Sequence, residues 1–166
     1  PAPKPSLPVF AVKEDFSKPN PELWEVIGKG WQFKDGALHQ TTVTRDTERL
    51  TLRSQVPRDF EMTCSYTHTG GDTYRSVTFR FDVQPDRKYA NYVYTSAHAP
   101  KPKLHVAYTR GGKSTYPPDA LVAQPIEIGK PYTLRLAVRD RLVNVWLDDK
   151  FQIAYVLSDR KPGGRL

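Results

Sequence analysis

Hydrophobic and polar positions alternate with a period of two through the C-terminal third of the chain. Tyr132, Leu134, Leu136 and Val138 alternate with polar neighbours. The chain turns at Arg139-Asp140-Arg141, and Val143, Val145 and Leu147 take up the beat again. An acidic turn, Asp148-Asp149-Lys150, leads into Phe151, Ile153 and Tyr155. This pattern predicts consecutive antiparallel strands with one face on a core and the other in water. Phe60, Met62, Cys64 and Tyr66 carry the same beat. Gly70-Gly71-Asp72 then turns the chain, and Val77, Phe79 and Phe81 follow. A further turn, Gln84-Pro85-Asp86-Arg87, precedes strands expected over 89–96 and 103–109. Nearer the N-terminus, short strands are predicted over 9–16, 24–27 and 49–53. Asp35-Gly36 sits between two apolar-patterned runs, 31–33 and 37–40, as in a tight hairpin. Residues 110–124 read as a loop with a short apolar step at Leu121-Val122. No segment has a helical period and no internal repeat is present. The chain is therefore expected to be all-β, an antiparallel two-sheet sandwich or jelly roll.

Composition agrees with strands and turns. The 166 residues include 15 prolines against one methionine, with nine tyrosines, seven phenylalanines and three tryptophans. A chain of this length is expected to hold one domain. The opening PAPKPSLP makes residues 1–13 an extended arm or linker, leaving 14–166 as the domain. The net charge of +7 permits anionic partners. Lysines and arginines are dispersed, however, without a dense basic run or a recognition-helix pattern, so nucleic acid is not the expected partner. Cys64, the one cysteine, excludes an internal disulfide and falls in phase with apolar neighbours, as a buried, inert thiol would. No apolar run approaches the roughly 20 residues of a membrane-spanning helix.

Candidate chemistry is sparse except on the outward positions. Glu61 and Asp82 are the acids that could form a hydrolytic pair, but outward acids on neighbouring strands are ordinary in a solvated sheet, and no catalytic residue is assigned. His39, His68, His98 and His105 lack metal-ligand spacing. No cofactor is assigned, with calcium on carbonyls and scattered aspartates left open. The phase of each strand turns Thr78, Arg80, Asp82, Tyr92, Tyr94, His105, Arg135, Asn144 and Trp146 outward. Polar groups beside exposed aromatics suit sugars, whose apolar ring faces stack while their hydroxyls exchange hydrogen bonds. The candidate ligand site is thus Arg80, Asp82, Tyr92, Tyr94, His105, Arg135, Asn144 and Trp146. Arg80 and Asp82 are expected to hold hydroxyls and Tyr92, Tyr94 and Trp146 to stack, with Tyr92 and Trp146 on one exposed face. Aromatics covered by loops on a second sheet face are the competing reading.

Three stretches resemble a known family. EDFSKPNPELWEVIGKGWQFKDGALHQ resembles the opening of laminin-G-like, concanavalin A-like jelly rolls of bacterial extracellular proteins. FEMTCSYTHTGGDTYRSVTFRFDVQPDRKYANYVYT resembles their central hairpins, and GKPYTLRLAVRDRLVNVWLDDKFQIAYV their late hairpin. The 3-keto-disaccharide hydrolase family shares this fold and usually has an "NSG…R" feature ahead of its central strand. Here that run is Thr73-Tyr74-Arg75-Ser76-Val77-Thr78-Phe79-Arg80, and Tyr89-Ala90-Asn91-Tyr92-Val93-Tyr94 stands where a glutamate-bearing motif commonly follows. The E-x-D-x-x-E strand of the glucanase relatives is absent. The resemblance implies a secreted, periplasmic or cell-envelope protein and a non-catalytic carbohydrate-binding module. The alternatives are a glycoside-cleaving enzyme of the 3-keto-disaccharide type, or a structural or interaction domain. It also implies one more strand after Gly163-Gly164-Arg165-Leu166, so that a sheet edge is expected to be open to a partner chain or a missing strand.

Overall fold

The computed structural model describes residues 10–43 and 48–166. Its strands are β1 (Trp24–Ile27), β2 (Trp31–Lys34), β3 (Ala37–Gln40), β4 (Arg49–Leu52), β5 (Phe60–Thr67), β6 (Ser76–Phe81) and β7 (Ala90–Ser96). They continue with β8 (Lys103–Arg110), β9 (Lys113–Thr115), β10 (Leu121–Ala123), β11 (Pro131–Arg139), β12 (Leu142–Leu147) and β13 (Lys150–Val156). A single 3-10 turn, Pro118–Ala120, is the one helical piece among the described residues. Sheet I runs β10-β8-β7-β6 with β9 also on β8, and sheet II runs β13-β12-β11-β5. All of their pairings are antiparallel. The architecture is an antiparallel two-sheet jelly-roll sandwich.

The alternation places the core between the sheets. Phe81, Val93, Leu104 and Val106 point in from sheet I. Phe60, Leu134, Leu136, Val138, Val143, Val145, Leu147 and Ile153 meet them from sheet II. Burying a side chain of this size is worth about 1.5–3 kcal/mol, so a one-residue slip in any of these strands would forfeit several at once. Between Val145 and Trp146 a bulge shifts the register, so that Val145 faces Ile153 while Trp146 faces Phe151. Asp35 and Gly36 have φ of 53° and 72°, and Asp148 and Asp149 have 49° and 61°. Two successive positive φ values give the turn whose twist matches paired strands.

Several elements depart from the alternation. Residues 10–16 form no strand. The Glu14 carboxylate accepts from the amides of Asp15 and Phe16 at 3.1 and 3.0 Å, from Asn20 Nδ2 at 3.2 Å and from Trp24 Nε1 at 3.3 Å. This local network draws the backbone away from sheet pairing. Most of the proline-rich arm, residues 1–9, lies outside the described residues; residues 10–13 are exposed and unpaired in any strand. The expected loop over 110–124 contains the three-residue strands β9 and β10, each too short to show a period.

The C-terminal residues run between two parts of the fold. Val83 and Arg165 exchange backbone bonds of 3.0 and 3.1 Å, the Leu52 amide donates to the Leu166 carbonyl at 2.9 Å, and Val56 donates to Gly164 at 3.2 Å. This segment joins the β1–β4 ribbon to the end of β6. Gly164 is required there, because a Cβ would stand 2.3 Å from the Asp82 carbonyl carbon. The central strand β7 is buried at every position, whereas β12 keeps its outward side partly open. Something therefore covers the outer face of sheet I.

Candidate functional site

Cross-strand pairing lays out that outer face in transverse rows. Arg80, Tyr92 and Ala107 form one row, from β6, β7 and β8. Thr78, Tyr94, His105 and Leu121 form the next, reaching β10. Tyr116, in the chain between β9 and the 3-10 turn, folds back over both. Its ring centroid is 6.3 Å from Tyr92, 6.3 Å from Tyr94 and 5.9 Å from His105, edge-on to both tyrosines. Ala107 is the small residue that lets the rings close in, and with Tyr92 and Tyr94 it forms a buried cluster separate from the main core. Tyr92 is only 4% exposed and Tyr116 is 54% exposed. The inner rings are thus a floor and Tyr116 the accessible aromatic. Beside them the Arg80 guanidinium stands 5.3 Å from the Tyr92 centroid.

Hydrogen bonds behind the rings fix their orientation. His105 Nε2 lies 2.8 Å from the Pro117 carbonyl, which can only accept, so Nε2 carries the proton. In the neutral ring Nδ1 is then the acceptor for the Tyr94 hydroxyl at 3.1 Å. Burial first, with Lys103 adding to it, depresses the His105 pKa below its ordinary value against the Pro117 contact, and keeps this neutral chain in place. Burial also pushes Tyr92 and Tyr94 up to about 12, so both hydroxyls stay protonated as donors. Past the Leu121 end of the rows, Lys103, Leu121 and Ala123 join Pro100, Pro102 and Pro125 around a groove of about 450 Å³. Leu121 pairs with His105 and also lines this groove.

The outer face of sheet II is built differently. Arg135 faces Trp146 across β11 and β12 and Thr63 across β11 and β5. Its guanidinium lies 3.7 Å from the Trp146 ring centroid, and Phe151 meets the same indole edge-on at 5.5 Å. Asn144 sits beside Trp146 on this face, opposite Ala137 and Ala154. Polar neighbours here bond to each other: Ser65 with Thr133 at 2.9 Å, Arg139 with Glu61 at 2.5 Å.

The eight residues expected to form one site are therefore dispersed. Arg80, Tyr92, Tyr94 and His105 share the outer face of sheet I, while Arg135, Asn144 and Trp146 lie on the opposite side of the molecule. Tyr92 and Trp146 do not share a face: alternation tells inward from outward but not to which sheet a strand belongs. Asp82 faces neither surface. Its φ of 53° breaks the alternation, so that Phe81 and Asp82 are both fully buried. Arg160 grips the Asp82 carboxylate with Nε at 2.7 Å and Nη2 at 3.1 Å, and Asn91 donates to it at 2.8 Å. Glu61 and Asp82 belong to different sheets and each is held by its own arginine, so they make no catalytic pair. Tyr116 is not legible as a site residue, since it falls in the expected loop; an aromatic directly before Pro117-Pro118 is the available signal. Cys64 is half-buried, and burial raises its thiol pKa. Among the described residues no group of His, Cys, Asp and Glu could hold a metal ion, and no helix is long and apolar enough to cross a membrane.

No protein-family model matches the chain, and no curated protein matches it in sequence. Its structure is similar to that of carbohydrate binding module CBM66 from Bacillus subtilis, with a TM-score of 0.71 over 86% of this chain and 84% of that one. The two sequences are 18% identical over the match, so the likeness shows a shared β-sandwich fold.

Proposed function

We propose that the outer face of sheet I binds a carbohydrate and does not cleave it, in a secreted or cell-envelope protein. One observation carries this reading: an exposed aromatic, Tyr116, stands over a floor of Tyr92, Tyr94 and His105 tied by hydrogen bonds, flanked by Arg80. A sugar ring stacks on Tyr116 while Arg80 and the Tyr116 hydroxyl exchange hydrogen bonds with its hydroxyl groups. The neighbour of the same fold is itself a carbohydrate binding module, which supports the reading. Binding is favoured over cleavage because Asp82 is consumed by Arg160 and Glu61 lies on the other sheet.

Screening the protein on a glycan array, then titrating the strongest hit calorimetrically, tests this. Stacking contributes about 0.5–1.5 kcal/mol beyond area burial, so Tyr116→Ala weakens the hit roughly three- to tenfold. Trp146→Ala, on the opposite face, leaves the affinity unchanged. The reverse pattern would move the site to sheet II.

A further inference from the structure

Beside Tyr92 the face carries a guanidinium, and a second stands in the adjoining turn. Arg80 projects from β6 over the Tyr92 ring, and Arg87 stands in the turn between β6 and β7 at a φ of 59°. Burial, followed by the guanidiniums of Arg49 and Arg80, lowers the Arg87 pKa from its ordinary value. Arg80 lies on β6 opposite Tyr92 and Arg87 in the turn that joins those two strands, so Arg87 is within electrostatic reach of Arg80, and both guanidiniums remain protonated at neutral pH. Like charges gathered in this way repel unless something negative joins them.

Among the described residues no acid supplies that negative group to Arg80 or Arg87. Arg58, Arg110, Arg139, Arg160 and Arg165 are each ion-paired, but Arg80 and Arg87 are in none of the ion pairs among the described residues. Nor does either guanidinium donate a hydrogen bond to a protein acceptor there. The acids closest in sequence are otherwise engaged. Asp82 is buried against Arg160, and Asp86 accepts the Lys88 amide at 3.0 Å. Each guanidinium thus keeps its planar fork of donors, a shape that matches the oxygens of a carboxylate or sulfate. Arg80 is held in place by its contact with Tyr92, which reduces the ordering cost of using it.

We propose that the carbohydrate taken by this face is acidic: its ring lies on Tyr116 while a carboxylate or sulfate oxyanion on the sugar is held between Arg80 and Arg87. This rests on the reading of the face as a carbohydrate site and narrows it to a ligand class. The net charge of +7 adds long-range attraction for such a polymer, without selecting the face.

The test uses an array that holds neutral, uronate-bearing and sulfated glycans. Its strongest hit is then titrated calorimetrically at about 150 mM salt, where exposed charges more than a Debye length apart are largely screened. The proteins compared are the wild type, Arg80→Gln, Arg87→Gln, Tyr116→Ala and Arg135→Gln, with thermal melts confirming that each is folded. The expected result is acidic hits, weakened about tenfold or more by Arg80→Gln and by Arg87→Gln. Arg135→Gln removes the same charge from the opposite face and changes affinity less than about twofold. The uronate and sulfate arms of the array tell which oxyanion is bound. Hits confined to neutral glycans, weakened by Tyr116→Ala but not by Arg80→Gln, would overturn this inference and leave the carbohydrate reading standing. An equal loss from Arg135→Gln would overturn it as well, by reducing the effect to general charge attraction. If no glycan binds, or if Tyr116→Ala changes nothing, the carbohydrate reading itself fails.

Discussion

Both outer faces of the sandwich pair an arginine with an aromatic ring, yet they present different surfaces. On sheet II the arginine lies on the ring: Arg135 covers one face of Trp146, and Phe151, 56% exposed, stands edge-on to it. The surrounding Ser65, Thr133, Glu61 and Arg139 bond to each other. On sheet I the covering element is a loop, and its Tyr116 turns outward while the rings beneath are tied by hydrogen bonds through His105 to the Pro117 carbonyl. A ligand there meets side chains whose positions are already fixed, so less conformational freedom is lost on binding. The difference teaches that an exposed aromatic beside a cation is not by itself a site. What matters is whether the surrounding groups are spent on each other or held ready.

The largest effect that sharpens this contrast concerns a residue belonging to neither face. Asp82→Ala leaves the Arg160 guanidinium buried without its counter-charge, and breaking a buried ion pair costs about 3–5 kcal/mol. Chemical denaturation should show a loss of that size, whereas Arg80→Ala, at an exposed position of β6, stays within about 0.5 kcal/mol of wild type. Comparable losses would mean that Asp82 is not part of the framework.

A smaller effect comes with pH. Burial lowers the pKa of His105, and of His68 beside Thr95, below their ordinary 6.5. In the window below 6.5 the unfolded chain therefore binds protons that the folded protein refuses. The stability that these two groups contribute is present in full above pH 6.5 and declines as pH falls toward their folded-state values. Thermal midpoints taken from pH 7 to pH 5 should fall, and His105→Gln should flatten part of that slope while His68 retains the rest. A slope unchanged in the variant would show that the Tyr94–His105–Pro117 chain does not govern the acid response of sheet I.

Much of this architecture is readable in the sequence. Alternation at 132–138 and 143–147 gave both strands and their inward residues, because a one-residue slip there would move a whole apolar set into water. Outward positions are legible only in part: Arg80, Arg135, Asn144 and Trp146 point away from the core and keep solvent contact, whereas Tyr92, Tyr94 and His105 point away from it but are buried under the Tyr116 loop. Their division between two faces is not legible, since sheet membership is decided by long-range pairing. Asp82 was misplaced because a single positive-φ residue at a strand end rotates the side chain inward, and a partner 78 residues away fixes it there. Residues 10–16 carried an apolar beat, but Glu14 captured the backbone locally. Tyr116 escaped because its neighbouring strands are three residues long, below any detectable period.

The central claim, that the face under Tyr116 is the one that binds, is tested most directly by amide and indole chemical shifts during titration with the strongest array hit. Arg80, Tyr92 and Tyr116 should shift, while the Trp146 indole proton and the amides of Arg135 and Phe151 stay still. Shifts concentrated at Trp146, Arg135 and Phe151, with Tyr116 silent, would contradict it.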